Sequence, residues 1–202
     1  MVELIITEKP STAKKIAESL ADDKLEKSTF NKKVPYYELH HGKNKIIVAC
    51  AVGHLYNLAE KDKHGWTYPS FDVEWKPSYE GKKGSDYTKN YLNAIISLAK
   101  KADKFAVATD YDIEGEVIGY NIIMFACGQK DARRMKFSTT TKEDLRNSYA
   151  NISPHLDWLQ AEAGLTRHQL DWWWGINLSR ALTLSIKNAT KSFKIMSIGR
   201  VQ

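Results

Sequence analysis

The feature that most constrains this chain is a regular alternation of strand-like and helix-like segments over its first 150 residues. Val2–Thr7 is a β-branched apolar run, and apolar residues then recur at helical spacing over Pro10–Leu20. A second β-type run at 104–109 is followed by an apolar helical stretch at 117–126. This alternation predicts an α/β fold with a mostly parallel sheet.

The remaining segments complete this pattern. We expect strands at 34–39, 45–52 and 135–138, and helices near 87–99 and 141–150, the last capped by Thr140 or Thr141. Residues 60–86 show no clean period and predict a long functional loop. From Pro154 onward the pattern is helical only. We therefore predict one α/β domain at 1–152 and a helical segment at 153–202.

Charge is concentrated at the end of the chain. The 202 residues carry 30 basic and 24 acidic side chains, a net charge of +6. Residues 172–202 contain five basic residues and no acid, which leaves only +1 for the rest. A basic end on a near-neutral body favours a polyanion partner, most often nucleic acid. A solvated lysine-rich surface is the alternative that charge alone leaves open.

Several classes of protein are disfavoured. The longest apolar run, residues 46–52, is far too short to span a membrane, and the N-terminus lacks the basic region of a signal peptide. We therefore expect a cytoplasmic protein. Cys50 and Cys127 form no Cys-x-x-Cys pair and are expected to be buried free thiols. No phosphate-binding Gly-x-x-x-x-Gly-Lys-Ser/Thr motif occurs, so ATP is not expected.

Acidic residues follow two of the predicted strands. Glu8 comes directly after the first strand, and Asp110, Asp112 and Glu114 follow the strand at 104–109. Ligands of α/β sheets bind beyond the carboxyl ends of the strands, so neighbouring strands would bring these carboxylates together. Carboxylate oxygens suit Mg²⁺, and a carboxylate left without metal should have a raised pKa. The alternative is helix capping by Asp110 or Asp112, with Glu114 and Glu116 favoured by the helix dipole.

Longer motifs then indicate a family. Glu-Lys-Pro-Ser at 8–11 and Asp-Tyr-Asp-Ile-Glu-Gly-Glu at 110–116 resemble the Toprim domain, which has a Rossmann-like α/β fold. More narrowly, the chain resembles type IA DNA topoisomerases of the topoisomerase III and archaeal topoisomerase I kind. The further matching motifs, in family order, are Val-Gly-His-Leu at 52–55, Phe-Asp-Val-Glu-Trp-Lys-Pro at 71–77, Arg-x-x-Phe-Ser at 134–138, Arg-x-x-x-Asp at 167–171, Gly-Ile-Asn-Leu-Ser-Arg at 175–180 and Ser-Ile-Gly-Arg-Val-Gln at 197–202.

The resemblance implies a chemistry. The family cuts one DNA strand by transesterification, in which a tyrosine forms a 5′-phosphotyrosyl link and the freed 3′-hydroxyl later reseals the strand. Glu8 would then be the acid–base residue at the leaving 3′-oxygen. Asp110 and Asp112 would bind Mg²⁺ with support from Glu114, and all four acids are candidate catalytic and metal-binding residues. This scheme needs no ATP.

The resemblance also implies a nucleic-acid surface and a missing part. The expected partners are single-stranded DNA and the remaining topoisomerase domains, in cis or in trans. No tyrosine here matches the family nucleophile, so we expect it outside this chain; Tyr111 is disfavoured because it stands among the carboxylates. Residues expected to contact DNA are His54, Arg134, Arg167, Asp171, Arg180, Ser197, Gly199, Arg200 and Gln202.

Two departures and two alternatives remain. The family usually has arginine where this chain has Ile113, and it continues well past residue 202. A different Toprim enzyme, such as a primase or nuclease acting through metal alone, is one alternative. A non-enzymatic module that binds DNA or docks on a subunit carrying the tyrosine is the other.

The three tryptophans at 172–174 cannot all face one way, so we expect at least one in the core and another free to stack on a base.

Overall fold

A computed structural model describes residues 1–62, 65–81 and 84–199. The chain divides into two compact units, neither of which is continuous in sequence. The first comprises residues 1–56 and 77–164, and the second comprises residues 57–76 and 165–202. The boundary expected at 152–153 therefore lies within the first unit, and the expected loop at 60–86 is shared between the two.

The first unit contains a six-stranded sheet with the order β2-β3-β4-β1-β7-β8. Strand β1 is parallel to both β4 and β7, β7 is parallel to β8, and only β2–β3 and β3–β4 pair antiparallel. The α/β class and the mostly parallel sheet are thus confirmed. The strands are β1 Val2–Thr7, β2 Leu25–Phe30, β3 Val34–His41, β4 Asn44–Cys50, β7 Lys104–Ala108 and β8 Arg133–Arg134; β5 Tyr56–Glu60 and β6 Val73–Pro77 form a separate two-stranded sheet.

Strand β1 forms the middle of the sheet because its sequence suits burial on both faces. Leu4, Ile5 and Ile6 are all completely buried. A parallel strand covered by helices on both sides reads as a continuous apolar run, and Leu-Ile-Ile-Thr is such a run. The uninterrupted hydrophobicity of this segment therefore explains why it became the central strand.

The described residues form six helices. In the first of them, Ala13, Ile16, Ala17 and Leu20 form the buried face, and Pro10 occupies its first turn, as the spacing predicts. The helices are α1 Pro10–Leu20, α2 Ser78–Gly81, α3 Asp86–Ala99, α4 Ile113–Asn121, α5 Lys142–Ala150 and α6 Trp158–Thr190, and a π-helical turn, Ile122–Ala126, extends α4.

Some sequence-based expectations need correction. The strand predicted at 135–138 is instead Arg133–Arg134, because only these two residues pair with β7. Strand β2 was not predicted, since Leu-Glu-Lys-Ser-Thr-Phe is too polar to read as a strand at an edge of the sheet. Thr141 is the cap of α5, with its hydroxyl accepting a hydrogen bond from the Asp144 N–H at 3.3 Å.

Two further expectations can be compared with the structure. Among the described residues no helix, including the 33-residue α6, has a stretch apolar enough to cross a membrane. Both cysteines are free thiols, but only Cys50 is buried, while Cys127 is partly exposed. Desolvation raises the pKa of the Cys50 thiol to about 11 and that of Cys127 to about 12, so neither is a reactive thiolate at neutral pH.

Close packing of α4 on the sheet yields a stability prediction. A Cβ added at Gly119 would collide with the side chain of Val107, which is completely buried in β7. We expect Gly119→Ala to lower the free energy of unfolding by about 1–3 kcal/mol through overpacking, despite alanine's higher helix propensity. Urea unfolding monitored by circular dichroism measures this.

The matched control is Gly81→Ala, where an added Cβ would meet no atom within 4 Å. This variant should unfold within about 0.5 kcal/mol of the unmodified chain. Equal stability of the Gly119→Ala variant and this control would show that α4 does not pack against β7 as closely as described.

Candidate functional site

The acidic residues lie where two parallel neighbours end. Thr7 of β1 is in register with Ala108 of β7. Glu8 and Asp110 therefore leave the sheet at the same edge, beyond the carboxyl ends of adjacent strands. The two strands are neighbours, which is the condition on which the convergence of the acids depends. This edge is where ligands of open α/β sheets bind.

A lysine joins the two carboxylates. The Lys9 ammonium lies 2.6 Å from Asp110 Oδ2 and 4.0 Å from Glu8 Oε1. Its side chain is 53% exposed and that of Glu8 is 21% exposed, so water screens the lysine more than the glutamate. Lys9 therefore offsets part of the repulsion between the acids. Lys9 was not among the predicted site residues, although its position directly after Glu8 was the available signal.

The surroundings of Glu8 raise the pKa of its carboxyl group above the usual value. Desolvation by burial is the main cause, and the negative charges of Asp110 and Asp112 add to it. Lys9 and the backbone N–H of Asp110 act in the opposite direction but do not cancel the effect. A raised pKa at this edge agrees with the expectation for a carboxylate without metal, and it brings the group closer to neutral pH, where proton transfer is efficient.

Asp112 has a capping role. It is the N-cap of α4, and its Oδ1 accepts a hydrogen bond from the Gly115 N–H at 2.7 Å. The capping interpretation therefore holds for this residue. Capping occupies one carboxylate oxygen, and the charge of Asp112 still acts on Glu8. We call the edge of the sheet that carries Glu8, Asp110, Asp112 and Glu114 the acidic edge. Asp112 can cap α4 and still contribute its charge to the acidic edge.

Glu114 lies in the first turn of α4 and faces a histidine. Its Oε2 is 3.3 Å from His54 Nε2, and both side chains are partly exposed. His54 follows β4 after two residues with positive φ, Val52 and Gly53. That reversal brings the Val-Gly-His-Leu segment back toward the first turn of α4. Of the residues expected to bind DNA, His54 therefore lies with its side chain beside a partly exposed carboxylate of the acidic motif.

The donor set fits Mg²⁺. Among the described residues, no three of the four acids have carboxylate oxygens all within 4.8 Å of one another. Mg²⁺ does not require such a cage, because it retains several waters and usually takes only one or two carboxylates together with substrate phosphates. The acids that follow the ends of the two adjacent strands would offer hard oxygen ligands of this kind.

Tyr111 anchors the acidic segment. Its hydroxyl donates to Asp157 Oδ2 at 3.0 Å and accepts from Lys136 Nζ at 3.1 Å. The Lys136 ammonium also lies 4.5 Å from the centre of the Tyr111 ring, a cation–π contact. The hydrogen bond to Tyr111 is the main cause that raises the pKa of Lys136. These contacts explain the presence of Tyr111 by a structural role, without a role in attack on DNA.

Arg134 requires a correction. We predicted it to contact DNA, but its side chain is completely buried and is ion-paired with Glu116, also completely buried, at 2.7 Å. Its remaining donors bind backbone carbonyl oxygens. A guanidinium enclosed in this way offers no surface to a phosphate, so the role of Arg134 lies within the fold.

The second unit carries the other predicted DNA contacts. Arg167 Nε lies 3.9 Å from Asp171 Oδ2 one turn further along α6, and both side chains are exposed to solvent. Arg180 is different: its guanidinium binds both carboxylate oxygens of Glu60, at 2.5 and 2.8 Å, and the Thr67 carbonyl at 2.9 Å. A phosphate would have to displace Glu60, so the expectation that Arg180 contacts DNA is corrected to a role in joining β5 to α6.

The segment after α6 runs back along that helix. The Ile198 N–H donates to the Ser179 hydroxyl at 2.8 Å, and the Met196 N–H donates to the Thr183 hydroxyl at 2.9 Å. Ser197 and Gly199 flank Ile198 in this segment. Arg200 and Gln202 lie outside the described residues, so their predicted DNA contacts stay predictions.

The tryptophans at 172–174 lie nearer the surface than expected for a residue of the core. None of the three consecutive tryptophans is fully buried, and Trp174 is 58% exposed. Trp173 donates its indole N–H to the Phe71 carbonyl at 3.0 Å, which joins α6 to the segment before β6. Trp173 and Trp174 border a largely apolar groove of about 520 Å³. The groove is lined by Phe71, Leu170, Asp171, Trp173, Trp174, Asn177 and Leu178.

Comparison with known proteins agrees with this geometry. The Toprim domain family matches residues 3–140, and the DNA topoisomerase family matches residues 155–202. The chain belongs to the Toprim family. Its Toprim match contains both strands that carry the acids, and the topoisomerase match contains the Arg167–Asp171 pair.

Individual relatives carry a consistent name. DNA topoisomerase 1 of Pyrococcus horikoshii is 50% identical over 202 residues, covering 98% of this chain and 29% of the relative. DNA topoisomerase 1 of Methanocaldococcus jannaschii is 48% identical, covering 100% of this chain and 26% of the relative. The chain thus spans less than a third of the length of these relatives.

A solved structure shares the fold. Full-length topoisomerase I from Thermotoga maritima superposes with a TM-score of 0.61 at 24% identity, over 98% of this chain and 28% of that one. The Toprim assignment thus rests on the sequence match, and this structure shows that the fold is shared.

The charge balance of the Toprim acidic edge gives a pH-dependent prediction. Because folding raises the pKa of Glu8, its ionised form is less favourable in the folded chain than in the unfolded chain. Glu8 therefore costs stability increasingly as the pH rises through its folded pKa. We expect Glu8→Gln to raise the free energy of unfolding of the metal-free chain at pH 7, and the gain to disappear near pH 4.

Urea unfolding in the presence of a chelator, at both pH values, measures this difference. Glu18→Gln is the control, because Glu18 forms an exposed pair with Lys14 on α1, outside the acidic edge. A Glu8→Gln chain that is less stable than the unmodified chain at pH 7 would show that Lys9 compensates fully for the burial and crowding of Glu8.

Proposed function

We propose that this chain is the Toprim-containing N-terminal part of a type IA DNA topoisomerase, and that it binds Mg²⁺ and single-stranded DNA. In the whole enzyme these sites serve cleavage and religation of one DNA strand by transesterification. The observation that carries the proposal is the convergence of Glu8 and Asp110 at the ends of two adjacent parallel strands. Relatives named DNA topoisomerase 1 support the reaction class.

Each residue of the acidic edge has a proposed role. Glu8, with its raised pKa, is suited to hold a proton and deliver it to the leaving 3′-oxygen. Asp110 and Asp112 would hold Mg²⁺, with Glu114 in support and oriented by His54. When bound, the ion would supply positive charge against the phosphate. Lys9, already paired with Asp110, would contribute a second positive charge beside it.

The second unit is the proposed DNA-binding surface. Arg167 and Asp171 offer a hydrogen-bonding donor and acceptor at the surface of α6, and Trp174 offers an exposed aromatic face one turn further on. Proteins that bind single-stranded DNA commonly combine basic groups with aromatic side chains on which the bases stack. The absence of acidic residues from 172 to 202 favours the same partner.

The rest of the enzyme is proposed as the other partner. The chain covers 29% of its Pyrococcus horikoshii relative, and Tyr111 is held by Asp157 and Lys136 rather than presented across from the acids. These observations support our proposal that the attacking tyrosine lies outside these 202 residues, in cis or in trans. This chain alone would bind Mg²⁺ and DNA without cutting DNA.

Metal binding is the first test of the proposed function. We expect Asp110→Asn combined with Asp112→Asn to weaken Mg²⁺ binding at least about tenfold, which corresponds to only about 1.4 kcal/mol. Isothermal titration calorimetry with MgCl₂ measures it. The control, Asp23→Asn with Asp86→Asn, removes the same charge from exposed positions of the same unit. Identical titrations of the two double variants would remove Asp110 and Asp112 from the metal site.

DNA binding is the second test. We expect Trp174→Ala to weaken binding of a short oligodeoxynucleotide about 5- to 150-fold, since stacking on one base contributes about 1–3 kcal/mol. Fluorescence anisotropy at several salt concentrations measures the affinity. The log–log salt slope should be about −0.7 per phosphate neutralised and should not change in the variant.

The matched control for this test is Leu159→Ala, which truncates an apolar side chain that is 82% exposed outside the groove. It should bind DNA as the unmodified chain does. Salt-independent binding, or an equal effect of the two substitutions, would contradict the proposed surface. Mg²⁺-dependent cutting of the oligonucleotide by this chain would favour a Toprim nuclease instead.

A further inference from the structure

Arg134 is a buried arginine whose donors are directed almost entirely at one stretch of backbone. Its Nε donates to Glu116 Oε2 at 2.7 Å, and its Nη1 donates to the carbonyls of Thr109 at 3.0 Å and Met135 at 2.9 Å. Its Nη2 donates to the carbonyl of Asp110 at 2.9 Å. Both members of the ion pair are completely buried. A buried charge is tolerated only when it is paired and hydrogen-bonded in this way.

These hydrogen bonds begin where regular strand pairing stops. Strand β8 contributes only Arg133 and Arg134, which lie opposite Ala106 and Val107 of β7. Beyond that point the guanidinium, rather than a neighbouring strand, binds the carbonyls of Thr109 and Asp110. The arginine side chain thus continues the pairing of β7 by two residues, up to the first acid of the motif.

The opposite side of the same backbone is also fixed. A Cβ at Gly115 would collide with the Asp110 carbonyl oxygen, so the start of α4 packs directly on that peptide. The Thr109 hydroxyl donates to the Gly115 carbonyl at 2.8 Å. The Asp110 carbonyl is therefore held between the Arg134 guanidinium and the backbone of Gly115, which leaves this residue little freedom to rotate.

The counter-ion of Arg134 is fixed in turn. Glu116 Oε2 accepts from Arg134, and its Oε1 accepts from the Asp157 N–H at 2.9 Å. The Asp157 carboxylate binds Tyr111 and Lys136. Glu116 therefore orients the guanidinium and connects it to the anchor of Tyr111, the residue that follows Asp110.

We infer that Arg134, oriented by Glu116, is a positioning residue that holds the Asp110 backbone so that the Asp110 carboxylate is set for Mg²⁺. The inference rests on the proposed metal-binding function. Like charges at this edge push the acidic segment apart, and a backbone held on both sides keeps the carboxylate in place before the ion arrives. Arg134 contacts neither metal nor DNA in this role.

The principal test is Arg134→Lys. A lysine retains the charge opposite Glu116 but cannot donate to the Thr109, Asp110 and Met135 carbonyls together. We expect Mg²⁺ binding by isothermal titration calorimetry to weaken about 10- to 100-fold, the range seen when outer partners of metal ligands are removed. Circular dichroism at the titration temperature should show that the variant is folded.

The neighbouring residue provides the matched control. Arg133 also forms an ion pair, with Glu3 at the other end of β1, away from the acidic edge. Arg133→Lys should leave Mg²⁺ affinity unchanged. If Arg134→Lys does not fold, the double variant Arg134→Met with Glu116→Gln replaces the pair without an unpaired buried charge and still removes the carbonyl contacts.

A metal-free measurement separates this inference from the proposed function. In the presence of a chelator, Arg134→Lys should speed amide hydrogen exchange at Asp110 and Gly115 more than tenfold, with little change in β1. Unchanged exchange and unchanged Mg²⁺ affinity in a folded variant would overturn the positioning role. A wild-type chain that binds no Mg²⁺ would overturn the proposed function, while faster exchange in the variant would still support the positioning of Asp110.

Discussion

The parallel pairing of β1 with β7 is the constraint on which the acidic edge depends. Because Thr7 lies opposite Ala108 in this parallel pair, the residues that follow the two strands leave the sheet at the same edge. Burial of Leu4, Ile5 and Ile6 on both faces of the sheet holds β1 in its central position, between β4 and β7. The placement of Glu8 beside Asp110 is therefore a consequence of core packing between two strands, β1 and β7, that lie about a hundred residues apart in sequence.

Bringing acids together has an electrostatic cost, and two cations near this edge of the sheet act in different ways. Lys9 is exposed and lies between Glu8 and Asp110, where solvent weakens its effect. Arg134 is buried and acts on the backbone carbonyls, so its charge is shared with Glu116 rather than with the acidic edge. Lys9 adjusts the charge of the carboxylates, whereas Arg134 holds their supporting peptide.

Sequence patterns were informative where one local signal determined the outcome. The apolar run of β1, the helical spacing of α1 and a threonine cap at 140 or 141 were predicted correctly, since each depends on neighbouring residues. Arg134 was misjudged because its burial depends on its pairing with Glu116 and on the short β8, and the two separate motifs that contain these residues reveal neither. Likewise, residues 57–76 join residues 165–202 in one unit, a long-range grouping that no local period could predict.

The departure from the family pattern at Ile113 has a physical explanation in the packing of α4. A Cβ at Gly164, near the start of α6, would lie 2.9 Å from Ile113 Cγ2 and 3.0 Å from the Ile113 carbonyl oxygen. Only glycine permits so close an approach of the helices, and the isoleucine side chain supplies an apolar contact there. An arginine at this position would have brought a cation to the first turn of α4. In its absence, Lys9 is a cation that pairs with both Glu8 and Asp110. The charge of the acidic edge therefore depends more heavily on Lys9 than the family pattern alone implies.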